Sequence, residues 1–257
     1  MSSAALAIRE VGYQNKAFWR NPASAFFTFA FPLMFLVIFN LLFGNEERVI
    51  EGQTTTTATF YVPAIAAFSV INACYTNIAI GISYTRDAGI LKRVRGTPLP
   101  AWAFMAGRIM HATLMSVLLV VIVCAFGALF YDVSIPTTTM PAFLVALIVG
   151  AASFCALGLA ITCIIPNGDA SPAIVNASIL PLLFISDIFI PLQGAPAWLT
   201  TFAKVFPVWH FSKAMQAAFN PFETGSGFHL TDLAVVAAWG LAGLFIAARF
   251  FSWEPRR

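Results

Sequence analysis

Few side chains in this 257-residue sequence could move a proton or hold a metal. Outside the basic stretches the obvious acid–base candidates are His111, His210, His229, Asp187 and Glu223. None stands in the HExxH spacing that seats zinc, and no Ser/His/Asp arrangement is visible. The glycines nowhere form GxxxxGK[ST], so the chain lacks a phosphate loop for ATP. Cys74, Cys124, Cys155 and Cys163 have no CxxC spacing and fall in apolar stretches, where they read as small buried hydrophobes. Catalysis, a bound metal and a resident cofactor are therefore not expected. The densest group of charged residues is TRDAGILKRVRGTPLP, residues 85–100. A weaker polar set, Ser69, Asn72, Thr76 and Ser83, falls on one face of an apolar run, and Asn176 in a later run is similar. Such residues pair neighbouring membrane helices or touch a substrate.

The elements that must position these residues follow from composition. Hydrophobic residues make up 60% of the chain and charged ones 10%. A soluble domain carries about 25% charged residues to wet its surface. With a mean hydropathy of +0.84, the chain belongs to the membrane class. Crossing the hydrocarbon takes about 20 apolar residues. Six spans are predicted near 23–43, 59–83, 104–130, 141–165, 172–190 and 231–250. They are continuously apolar, without the alternation of a barrel strand, so each crossing is helical. The first apolar run follows a polar, basic lead and reads as a retained anchor rather than a cleaved signal.

Lysine and arginine set the orientation. With the N-terminus inside, eleven of the 14 cationic residues are cytoplasmic, leaving Arg48, Lys204 and Lys213 outside. Both termini are thus expected in the cytoplasm. Trp19, Trp102 and Trp253 fall near the inner boundary and Trp198 and Trp209 near the outer one, whereas Trp239 fits no belt. Residues 4–20 read as an interfacial helix, with Arg9, Tyr13, Lys16 and Arg20 on one face and Ala4, Ala7, Ile8, Val11 and Phe18 roughly opposite. The first outer loop, with Glu46, Glu47, Arg48 and Glu51, reads as solvated.

Within 85–97 a short helix is expected to end at Gly96, with Thr97 capping the next helix and Pro98 in its first turn. By charge alone this is an ordinary positive-inside loop. Residues 191–230 are too apolar for a loop and too broken for a span. Pro191, Pro196, Pro207 and Pro221 punctuate them, and Lys204, Lys213 and Glu223 interrupt them. Short re-entrant helices in the outer leaflet are expected, shielded by protein where the backbone is irregular.

Three passages, FWRNPASAFFTFAFPLMFLVIF (18–39), RDAGILKRVRGTPLP (86–100) and FIPLQGAPAWLTTFAKVFPVWHFSKAMQ (189–216), resemble the membrane subunit of an ATP-binding-cassette type-2 exporter, in the order that family has them. The resemblance implies an all-α integral membrane protein of six spans. It also implies that residues 86–96 form a coupling helix docking on a separate nucleotide-binding subunit. Arg86, Asp87, Gly89, Leu91, Lys92, Arg93, Val94 and Arg95 would be the coupling positions. The implied assembly has two permeases, the second a copy or paralogue, and two ATPase subunits, which would hold the ATP and magnesium. Membrane lipid is an expected partner and nucleic acid is not. The family often has glycine where this chain has Asp187, so the packing at the outer end of the fifth span is open.

The expected function is ATP-driven export of apolar or amphipathic small molecules, drug-, antibiotic- or lipid-like, across the plasma (inner) membrane. Ser69, Asn72, Thr76 and Asn176 are candidates for the path, and Asp187, Pro191, Pro207, Trp209 and His210 for an outer gate. The alternative is an ion-gradient-driven transporter or channel, which usually needs an ionisable group at mid-depth. His111 lies near the inner end of the third span, and Asp187 about 15 residues beyond Pro172, roughly 22 Å along a helix and close to the outer surface.

Overall fold

The structure, a computed structural model, describes residues 3–43, 47–50, 53–97, 99–192, 194–220, 222 and 225–254, apart from the side chains of 3, 4, 47–50, 53–55 and 101. The roles expected of Glu46, Glu51, Pro98, Pro221 and Glu223 lie outside the described residues.

The described chain is helical except for one hairpin. In order come α1 (Ser3–Trp19), α2 (Pro22–Phe43), strands β1 (Glu47–Ile50) and β2 (Gln53–Thr56), α3 (Thr57–Ile71), a π-helical turn (Asn72–Thr76) and α4 (Asn77–Asp87). Then follow α5 (Ile90–Arg95), α6 (Ala101–Tyr131), α7 (Met140–Ile161), α8 (Ser171–Phe184), α9 (Ala197–Ala203), α10 (Pro207–Ala218) and α11 (Leu230–Phe250). The strands pair antiparallel, Glu47 opposite Thr56 and Ile50 opposite Gln53, where a solvated loop is expected.

Among the described residues, five helices are long and apolar enough to cross a membrane: α2, the run Thr57–Asp87, α6, α7 and α11. The sixth apolar helix, α8, has 14 residues and spans about 21 Å, short of the roughly 30 Å hydrocarbon core. The expected span 172–190 thus loses its last turns. After Phe184 the chain runs through turns, and Asp187 takes φ +56°. Left-handed backbone favours glycine, with Asp and Asn the tolerated exceptions. An aspartate can therefore stand at this bend without the strain that a β-branched residue would carry. Ser186, Asp187, Ile188 and Phe189 are all buried, as irregular backbone at membrane depth must be.

The centre of the molecule is α3, buried along nearly its whole length among α2, α6, α7 and α10. Helices come together where side chains are small. A Cβ on Gly158 of α7 would sit 2.8 Å from the carbonyl oxygen of Tyr75 and 3.0 Å from that of Cys74, so only glycine lets α7 meet the π-helical turn. On α11 a Cβ at Gly240 would lie 2.8 Å from Cα of Ser153 on α7. With no hydrophobic drive between helices in lipid, such close backbone packing is what holds spans together. Aromatic contacts join α2 to the outer segment and to α3: Phe35 stacks on Phe189 at 5.1 Å and Phe39 on Tyr61 at 5.0 Å.

The third span begins at Ala101, not at Thr97. Proline disfavours helical backbone in the residue before it, so Leu99 stays outside the helix and Pro100 is the N-cap. Thr97 instead closes the turn after α5, its hydroxyl donating to Val94 O at 2.7 Å and accepting from Leu99 N at 3.3 Å.

Candidate functional site

The positions expected to couple to an ATPase are built on the end of α4. Arg86 ends a continuous helical run and is fully buried. Its guanidinium donates from Nη1 to Thr162 O at 2.9 Å and from Nη2 to Ile165 O at 2.7 Å. These carbonyls lie at and just past the C-terminus of α7, where helix carbonyls lack intrahelical partners and the dipole favours a cation. The neighbouring Asp87 carboxylate accepts from the backbone N–H of Gly168. One dipeptide therefore clamps the end of α4 to the α7–α8 connection.

Gly89 follows with φ +69°, reversing the chain into α5. Leu91 is fully buried and Val94 packs against the same core, which leaves Lys92, Arg93 and Arg95 exposed. The stretch is thus a basic surface helix pinned from beneath. Leu91, expected as a contact position, is corrected: it is fully buried, as is Arg86, expected among the coupling positions. The signal that a sequence reading lacks is the pair of orphan carbonyls some 76 and 79 residues away in sequence.

The path candidates separate. Ser69 is fully buried and its hydroxyl donates to Ile65 O one turn back at 2.8 Å, so it satisfies its own helix. Ser83 does the same with Ala79 O. The π-helical turn between them breaks the single polar face: Asn72 and Thr76 are half-buried and Asn77 is exposed. Asn176 is exposed on α8.

At the opposite end, the outer-gate candidates do come together. Asp187 is buried, pairs with Lys213 Nζ at 2.5 Å and accepts from the backbone N–H of Leu192. Its carbonyl accepts from Gln216 Nε2 at 2.8 Å. Asp187 therefore ties the end of α8 to α10. Pro207 begins α10, whose His210 is held at both nitrogens: Nε2 donates to Lys204 O at 2.8 Å, and Nδ1 lies 2.6 Å from the Asp232 carboxylate of α11. Lys204 and Lys213 both lie over the Trp209 ring, at 5.5 and 5.7 Å. Pro191 lies in the non-helical stretch before α9, making no hydrogen bond of its own. Asp232 and Trp239 were not among the expected gate residues. Trp239, which fits no aromatic belt, donates from its indole N–H to Val205 O at 3.0 Å and so anchors the α9–α10 turn on α11. Its polar N–H inside an apolar span was the available signal, since a buried indole N–H seeks an acceptor.

Comparison with known proteins agrees with this architecture. The chain is 24% identical over 226 residues to a protein of Porphyra purpurea named as a transport permease, ycf38, covering 86% of this chain and 75% of that protein. It is 22% identical over 201 residues to YvfS of Bacillus subtilis, also named as a transport permease, covering 77% and 79%. YbhR of Escherichia coli, named as a multidrug ABC transporter permease, is 21% identical over 153 residues, 60% of this chain and 41% of its own length. The model of the ABC-2 type transporter family matches residues 11–220, from the middle of α1 to the end of α10, and the chain belongs to that family.

Proposed function

We propose that this chain is the permease of an ABC exporter, driven by ATP hydrolysis in two separate nucleotide-binding subunits. Lys92, Arg93 and Arg95 on α5 dock on the ATPase, with Asp87, Gly89 and Val94 setting the helix in place. The observation that carries this reading is the Arg86–Asp87 clamp. A docking helix transmits a push only if its base is rigid, and Arg86 joins that base to the end of α7 through two hydrogen bonds. Movement of α5 would therefore shift α4, α7 and α8 together.

A second permease completes the path. Only Ala25, Pro32, Leu36 and Asn40 of α2 are buried in the single chain, and Asn176 of α8 is exposed within an apolar helix. A polar side chain at membrane depth turns toward protein or water rather than lipid, so α8 faces the partner permease. Asn72, Thr76 and Asn176 are the path residues that this arrangement retains. The cluster of Asp187, Pro191, Pro207, Trp209 and His210 closes the outer end. The cargo is apolar or amphipathic, in keeping with spans that carry so few charges, and the membrane crossed is the plasma membrane with both termini in the cytoplasm.

The test is to reconstitute the permease with its ATPase in vesicles and compare the wild type with R93E/R95E. Loss of ATPase stimulation and transport at unchanged membrane content is expected. Unchanged coupling in the variant, or transport that continues after ATP depletion, would overturn the reading.

A further inference from the structure

Between α1, α4 and α6 lies a cavity of about 170 Å³ that the coupling and gate residues do not use. Its polar lining is Gln14, Asn77, Arg108 and His111. Arg108 lacks a close ion pair, and its guanidinium lies over the Phe104 ring at 5.8 Å. No carboxylate lies within 4 Å of it among the described residues, and its hydrogen bond is a long one, 3.4 Å from Nη1 to Thr85 Oγ1. The nearby acid of α1, Glu10, accepts from Gln14 Nε2 at 2.7 Å and acts on Arg108 from beyond ion-pair distance. Gly81 makes room for the guanidinium, since a Cβ there would lie 2.6 Å from Nη2. One turn along α6, His111 Nε2 is buried with no hydrogen-bond partner. A cation with no close ion pair beside a nitrogen with no hydrogen-bond partner leaves a cavity that an anion would complete.

The depth fits a headgroup. Arg108 lies seven residues into α6, about 10 Å from its start. Phe18, which lines the cavity, packs edge-on against Phe29 at 6.1 Å, and Phe29 lines a separate apolar groove of about 490 Å³ with Trp19, Phe26 and Leu33. A polar cavity thus adjoins an apolar groove across one aromatic pair.

We propose that this cavity binds the phosphate of an anionic phospholipid from the adjacent leaflet, with its acyl chains in the α1–α2 groove. Basic pockets between membrane helices are suited to such headgroups, and Arg108 and His111 supply charge-assisted donors to phosphate oxygens. The exposed Arg9, Lys16 and Arg20 on α1 enrich anionic lipid nearby. The inference does not depend on the ATPase coupling.

The test is native mass spectrometry of the full chain equilibrated in mixed micelles of phosphatidylglycerol and phosphatidylcholine. The wild type is expected to retain one phosphatidylglycerol per chain. R108Q and H111L should each retain it about tenfold less, the scale of one charge-assisted hydrogen bond. G81A displaces the guanidinium tip and should weaken retention even if R108Q does not fold. Equal retention of both lipids, or unchanged retention in H111L and G81A, would overturn the proposal. So would inorganic phosphate displacing the lipid, which would make the site one for a free anion.

Discussion

The Nη2 of Arg86 stands 2.7 Å from the carbonyl oxygen of Ile165, so the end of the second span caps the connection after the fourth. A residue of the basic signature thereby acts within the membrane domain while its neighbours Lys92, Arg93 and Arg95 face outward. The two roles separate by burial, and they predict different failures.

Arg86→Gln should lower the thermal stability of the detergent-solubilised protein by about 1–3 kcal/mol, the cost of leaving buried acceptors unsatisfied. Arg86→Lys should recover part of this, since one ammonium cannot reproduce the fork that reaches Thr162 and Ile165 together. Unfolding followed by fluorescence-detected size exclusion would check the order wild type, Lys, Gln.

Charge reversal at Lys92, Arg93 or Arg95 should leave stability within about 0.5 kcal/mol, as exposed substitutions usually do. Retention of the ATPase on immobilised permease should fall, and wild-type retention should weaken as salt rises, because exposed charges are screened. Retention that is insensitive to salt would count against docking by these residues.

Asp187→Gly keeps the left-handed bend at φ +56° but loses the pair with Lys213. Asp187→Val loses the pair and adds backbone strain of about 1–2 kcal/mol. The glycine variant should therefore melt above the valine variant and below the wild type, as read by the same unfolding assay.

Gly158→Leu should be the most damaging of these substitutions. A side chain there meets backbone atoms of the π-helical turn, which cannot swing aside. Overpacking costs about 1–3 kcal/mol or more, and the protein should yield little monodisperse material. Gly12→Leu, with nothing within 4 Å of its Cβ, serves as the control and should behave as the wild type does.

Orientation can be read by labelling. A cysteine at Thr55, in β2, should react with an impermeant thiol reagent from outside intact cells, and a cysteine at Arg93 should not. Labelling in the reverse pattern would invert the assigned topology.

The sequence alone determined the class and the coarse layout. A chain with 10% charged residues cannot wet a globule, and its long apolar runs must become helices to satisfy their backbone in lipid. The basic segment after the second span and the proline-broken segment before the last were equally legible, because charge and proline act locally. Tertiary structure decided which of those residues face inward. Arg86 is turned inward by two orphan carbonyls far along the chain, and Leu91 by a core that the local pattern does not specify. It also decided that Ser69 serves its own helix, that the π-helical turn splits the polar face of the second span, and that Trp239 braces the α9–α10 turn. The partners of Arg86 and Trp239 are remote in sequence, and no local periodicity encodes a hydrogen bond between distant segments.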